Sequence, residues 1–226
     1  MFAEIADFNG ADQYFKGPGS AEWAAIAKIV DKLRPSFQPS RQAGIRGEPI
    51  FDPKATNFAL SSAALRRGWN VVPVPATLRE FGDHWDAGKS GTLAEWQFSN
   101  YPYLWHNVIR TQAVFQQRTP LSGLAATEAL IFVTKSGVFP SSESSLYYEQ
   151  AKAQLAAATR LNVFDVPIRL VGLSIRPGQR RFKATWTVYP ARTRRKIVTQ
   201  GPVEILVTWT KKKSKYEAPM ATLRKV

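Results

Sequence analysis

The chain has 226 residues, 44% hydrophobic and 12% aromatic, with Trp 7 and Phe 13. That composition fills a core and excludes a disordered tail protein. No run approaches the ~18 apolar residues of a membrane span, and the opening MFAEIADFNG places acids where a signal peptide needs a basic patch. Cysteine is absent, which excludes disulfides and thiolate metal sites and fits a reducing cytoplasm, and two histidines (His84, His106) are too few for a histidine-rich zinc site. The net charge of +14 points toward a polyanionic partner.

Ser20-Ala-Glu-Trp23 opens a helical pattern in which Ser20 is a candidate cap. Trp23, Ile26, Ile29/Val30 and Leu33 recur at helical spacing until Arg34-Pro35 ends it. A Pro/Gly-rich connection is expected through about Pro53, then a helix over 57–67 stopped by Gly68. The prolines of 70–75 mark an edge or irregular strand. Residues 83–86 and 92–98, around a Gly-containing turn at 87–91, read as a hairpin. A helix over 103–117, a buried strand over 128–134, a helix over 142–160 and a central strand over 166–175 follow. This order predicts an α/β (α+β) fold, a mixed central sheet flanked by helices.

The C-terminal part differs. Between residues 176 and 226 there are 14 Lys/Arg against Glu204 and Glu217, a net of +12, whereas the first 175 residues carry only +2. Strand-like composition at 181–189 and 203–210 flanks Arg192-Thr-Arg-Arg-Lys196, and Lys211-Lys-Lys-Ser-Lys215 follows. The expectation is one domain over 1–226 with a basic β-rich subregion at 176–226. Such asymmetry suits nucleic acid, because each neutralised phosphate releases condensed counterions; a solvated basic surface or an arm for acidic lipid is the alternative. Arg180, Arg181, Arg192, Arg194, Arg195 and Lys196 are candidates for groove or phosphate contact. Trp186, Tyr189 and Trp209 alternate with basic residues as in a stacking platform, although sheet core explains them more simply.

Strand periodicity makes the hairpin the candidate site. Alternation puts Glu95 and Gln97 on one face and Ala94, Trp96 and Phe98 on the other, so an apolar face toward the core leaves the polar pair at an opening. Asp86 lies nine residues before Glu95, where the turn can bring it opposite. Two converging carboxylates make a hard, oxygen-rich cation site suited to magnesium. Solvated surface acids are the ordinary alternative, and Asp83 competes with Asp86. Glu22 is either a further acid near the metal or, more simply, an exposed helical glutamate. Asn57 and Asn70 suit capping and turns as well as a site, and Tyr147-Tyr148 suits helix core.

From Asn57 to about Gly172 the chain resembles the BglII/BstYI-type restriction endonucleases, a branch of the PD-(D/E)xK nuclease superfamily. The resemblance rests on Asn57-Phe58, Gly68-Trp69, Asp86, Glu95-Trp-Gln97-Phe98 with Asn100-Tyr101, Ser144-Ser-Leu-Tyr-Tyr-Glu-Gln150, and Asp165-Val-Pro167 leading to Gly172. It implies that Asp86 and Glu95 bind Mg2+ with the backbone carbonyl of Trp96. It also implies that Gln97, standing where the wider superfamily has lysine, orients water through its amide. Ser99-Asn100 departs from the family pattern, which often has lysine there. The implied reaction is in-line attack of water on a phosphodiester of double-stranded DNA, leaving 5′-phosphate and 3′-hydroxyl ends at a short palindromic site. A palindrome implies a homodimer, with the helices after the hairpin as candidate interface, and a functional pairing with a DNA methyltransferase. A non-catalytic DNA- or RNA-binding module, or a repair-type nuclease of this fold, is the competing reading.

Overall fold

In a computed structural model, residues 1–118, 120–141, 145–190, 196–213 and 217–226 are described. The elements in chain order are β1 (Phe2–Phe8), α1 (Ala11–Lys16), α2 (Ser20–Lys32), β2 (Ser36–Pro39), β3 (Pro49–Phe51), α3 (Pro53–Leu65) and β4 (Asn70–Pro73). A 3-10 turn over Ala76–Phe81 leads to β5 (His84–Lys89), β6 (Thr92–Trp96), α4 (Tyr103–Gln117), β7 (Ala129–Lys135), α5 (Tyr148–Arg160) and β8 (Ile168–Ser174). The chain closes with β9 (Arg181–Val188), β10 (Thr199–Lys213) and β11 (Pro219–Lys225).

The central sheet runs β1-β8-β7-β6-β5-β4, with β6, β7 and β8 parallel and the outer pairs antiparallel. Strands β7 and β8 are buried along their whole length, as a parallel sheet covered on both faces requires. Leu93, Leu130, Phe132, Ile168 and Leu170 pack on one face beneath α4 and α5. Ala94, Trp96, Ile131, Val133 and Val171 pack on the other beneath α2 and α3. The mixed sheet flanked by helices is therefore the architecture the chain adopts.

A second sheet, β11-β10-β9-β2-β3, closes the α2/α3 side. It carries the expected basic β strands and shares their core, since Phe37, Phe182, Ile205 and Leu223 belong to the same cluster as Trp96. In β9 the exposed Arg181 and Lys183 alternate with buried Phe182 and Ala184, which gives a basic outer face.

Several boundaries differ from expectation for local reasons. Strand β1 was not foreseen; Arg169 fastens it by a bidentate pair to Asp7 at 2.7 and 2.8 Å while stacking on Phe15 and Trp23. The Pro/Gly-rich connection contains β2 and β3, held by Phe37 and Phe51 against Phe139. Helix α3 starts at Pro53 rather than Asn57, because Asp52 caps it through the Ala55 amide at 3.1 Å and Pro53 occupies the first helical position. Ser20 is the first residue of α2 and makes no side-chain cap; Gly19 precedes it. Helix α5 starts at Tyr148, not at 142, and the preceding residues 142–144 lie outside the described ones. Strand β10 runs on through Lys211–Lys213, which sequence places after it. No described helix is long and apolar enough to cross a membrane.

Candidate active site

The hairpin β5–β6 pairs Ala87 with Ala94 and Gly88 with Leu93, so Asp86 falls opposite Glu95 as expected. Against β4 the register slips, from Asn70↔Gly88 to Val72↔Trp85, leaving Asp86 and Ala87 opposite Val71 alone. Such a bulge re-aims a side chain beside a functional site. Here Trp85 and Ala87 face opposite sides of the sheet, and Asp86 between them accepts the Trp96 backbone N–H at Oδ2, 2.8 Å away. The Asp86 and Glu95 carboxyls are close enough to hydrogen-bond each other.

Both acids border a cavity of about 490 Å³ together with Gln97, His106 and Arg110. The polar opening expected here is present, but Glu95 lies at its floor rather than at its mouth: β6 is central, and α4 covers the face that Glu95 shares with Leu93. Glu95 is 4% exposed and meets Arg110 Nη2 in a buried ion pair. Burial raises the Glu95 carboxyl well above the usual range, and the Asp86 charge adds to this against the lowering by Arg110. Asp86 is raised too, by burial first, with the Trp96 N–H opposing. Two crowded, largely buried acids at the floor of a polar cavity fit a divalent cation, which would relieve their repulsion and their desolvation together. Asn57 Oδ1 and Arg110 Nε, buried polar atoms of residues bordering this cavity, have no partner among the described residues.

Gln97 lines the cavity beyond the end of β6; its N–H donates to Val133 O at 2.9 Å and its Nε2 to Ser99 O. Trp96 and Phe98 point into the core, so the expected alternation is what the strand shows. Asp83 lies at the exposed rim. His84 and His106 also border the cavity. Asn57, on α3, reaches it, whereas Asn70 pairs at the edge strand with Gly88.

A profile of the family described as "Restriction endonuclease BglII/BglIII" matches residues 3–173. The chain belongs to this restriction endonuclease family. It is therefore a DNA endonuclease, a hydrolase. The type II restriction enzyme BglII of Bacillus subtilis is 39% identical over 174 residues, 76% of each chain. The crystal structure of restriction endonuclease BglII complexed with a DNA 16-mer superposes with TM-score 0.90 at 33% identity, and that of free BglII with 0.74 at 32%, each covering 100% of both chains. As in those two BglII structures, the mixed α+β architecture accompanies restriction-endonuclease sequence.

Other candidates settle elsewhere. Glu22 is neither exposed nor at the cavity: it is buried and accepts from Ser90 Oγ at 2.9 Å, at the turn end of the hairpin. Tyr148 is core, its ring lying where a side chain at Gly172 would sit, 2.5 Å from the missing Cβ. Tyr189 is buried and donates to Asp52 Oδ2 at 2.8 Å, and Trp209 donates to Gln179 O at 2.9 Å, which favours sheet structure over stacking. Arg180 and Lys196 are exposed, and Arg181 pairs with Glu204 at 3.2 Å. Arg192, Arg194 and Arg195 lie outside the described residues.

Sequence reasoning missed Arg110. Its signal was present: on α4 the buried positions are Leu104, Asn107, Val108, Arg110, Thr111 and Val114, so the arginine interrupts an apolar stripe.

Proposed function

We propose that this enzyme is a type II restriction endonuclease that cuts both strands of DNA at a short palindromic site, with Asp86, Glu95 and Gln97 as its catalytic residues. The observation that carries this is the β5–β6 register, which sets Asp86 opposite Glu95, with the bulge against β4 at Asp86, inside one polar cavity. Asp86, Glu95 and the carbonyl of Trp96 would hold Mg2+, which when bound supplies the positive charge that lowers the pKa of water and offsets charge on the phosphodiester. Asp86 is held by the Trp96 N–H, and Glu95 by Arg110. Gln97 has no charge to contribute and orients the attacking water by its amide. The products are 5′-phosphate and 3′-hydroxyl ends.

Arg180, Arg181 and Lys196, with Arg192, Arg194 and Arg195, are assigned to DNA as phosphate or groove contacts, and the whole chain is read as one domain with its basic subregion at 176–226. DNA complexed in the BglII structure supports a DNA partner here. A palindromic target is best read by a two-fold homodimer, and a methyltransferase would protect the host. Exposed apolar residues on α4 and just after α5 support a dimer surface: Ile109, 46% exposed, lines one groove with Val163, 60% exposed. We place the working enzyme in the cytoplasm.

Digestion of unmethylated phage DNA with and without Mg2+, using Glu95→Ala as control, tests the proposal. Discrete magnesium-dependent bands, lost in Glu95→Ala while specific binding persists, are expected. Retarded but uncut DNA across several metals would favour a binding module instead.

A further inference from the structure

The guanidinium of Arg110 touches no reacting group in the proposed cleavage, yet it is built into the pocket behind Glu95. It is 4% exposed, on α4, with both terminal nitrogens engaged. Nη2 meets Glu95 Oε1, Nη1 donates to the Phe81 carbonyl at 3.1 Å, and Cζ lies 4.9 Å from the centre of the Trp85 ring. Trp85 is itself locked, its Nε1–H donating to Thr111 Oγ1 at 3.0 Å one residue along the same helix. Gly82 makes room: a Cβ there would come within 2.5 Å of Nη1, and its φ of 118° is one that side chains rarely adopt.

We infer that Arg110 is a positioning residue for the metal site, fixing the Glu95 carboxylate and the segment that leads into Asp86 with one planar group. The inference rests on the reading of Asp86 and Glu95 as metal ligands. Its physical basis is the fork. Two parallel-plane donors cannot turn independently, so the grip on Phe81 sets the orientation of the grip on Glu95. One Glu95 oxygen is thereby held by Arg110 while the carboxyl group still reaches Asp86. The carbonyl of Phe81 ends the 3-10 turn just before β5, so the same guanidinium ties both ligand-bearing segments at a set spacing. Hydrogen-bond partners behind metal ligands are generally worth about 10–100-fold in metal affinity. Arg110 also repels a cation, and a purely electrostatic role would therefore tighten binding when it is removed. The two roles have opposite signs in one experiment.

The test is Mn2+ titrated into the intact protein, followed by loss of the free-ion electron paramagnetic resonance signal, for wild type, Arg110→Met, Arg110→Lys and Glu95→Ala. Arg110→Met is expected to raise the Mn2+ dissociation constant about tenfold or more. Arg110→Lys is expected to do the same, since an ammonium keeps the charge but cannot span Phe81 and Glu95 in a fixed plane. Should Arg110→Met fail to fold, the lysine variant decides alone. Wild-type or tighter Mn2+ binding in the folded variants, with Glu95→Ala binding none, overturns the role of Arg110 and leaves the site standing. Wild-type binding in Glu95→Ala overturns both.

Discussion

At the scale of single residues, buried charge is what distinguishes this chain. Glu95, Arg110, Lys135 and Arg169 are all nearly inaccessible, and each is held by a partner, as burial demands. Lys135 is the sharpest case. Its ammonium donates to Phe98 O at 2.6 Å and Leu146 O at 3.2 Å, between the Phe51 and Tyr147 rings, which fastens the chain just past Gln97 to that entering α5. Burial lowers its pKa from 10.5 to about 7, against the raising effect of Glu149. The unfolded chain therefore binds the extra proton between about pH 7 and 10, and this group makes stability rise with pH across that window. Urea melts of wild type and Lys135→Met should show the wild type gaining on the variant by on the order of a few kcal/mol from pH 7 to 10. Parallel pH profiles would show that the folded lysine keeps its proton. Asp86 and Glu95 were legible in sequence because a strand has a period of two and a hairpin a computable register. Arg110 showed only as a charge within an apolar helical stripe; its role was not legible, because it lies in a contact between two layers, 15 positions away from Glu95.

At the scale of elements, what could be read depended on how local the cause was. Helix α4 was found at its observed bounds, and β4 as an edge strand from its prolines. The buried strands β7 and β8 were placed within a residue or two by their continuous apolar runs. Strands β2 and β3 escaped notice because they are short, and they exist through distant aromatic partners such as Phe139 and Phe182. Strand β1 escaped because the ion pair that fastens it spans 162 positions. The bulge in β5 was also invisible. It is a property of pairing with β4, and no composition marks it. Yet this element-level irregularity is what aims Asp86.

At the scale of the molecule, α4 carries an active-site contact on one face and the proposed dimer surface on the other. Arg110 points inward to Glu95 and Ile109, the adjacent residue, points outward beside Val163. In a two-fold dimer through this face, each active site would be one helix thickness from the interface, which would couple assembly to the geometry of cutting. Ile109→Glu with Val163→Glu places four like charges across such an interface. Analytical ultracentrifugation should then show the wild type near twice the 25.3 kDa chain mass and the variant as monomer, with cleavage at both strands lost together. An unchanged dimer would move the interface to another surface. Here sequence supplied the reason for symmetry and pointed to the helices after the hairpin, α4 and α5, but to no residue on them.

Asp86, with Glu95, is proposed as the cutting site, and Asp83 is its nearest rival. Both aspartates border one cavity three residues apart, but Asp86 is held by Trp96 within the bulge and Asp83 is on the rim. The most direct measurement compares Asp86→Asn and Asp83→Asn in magnesium-dependent single-turnover cleavage of the same duplex. Asp86→Asn is expected to fall by at least about a hundredfold, in keeping with the loss of a metal-held transition-state charge, and Asp83→Asn to stay within about threefold of wild type. Loss of cleavage in Asp83→Asn with Asp86→Asn near wild type would contradict this assignment.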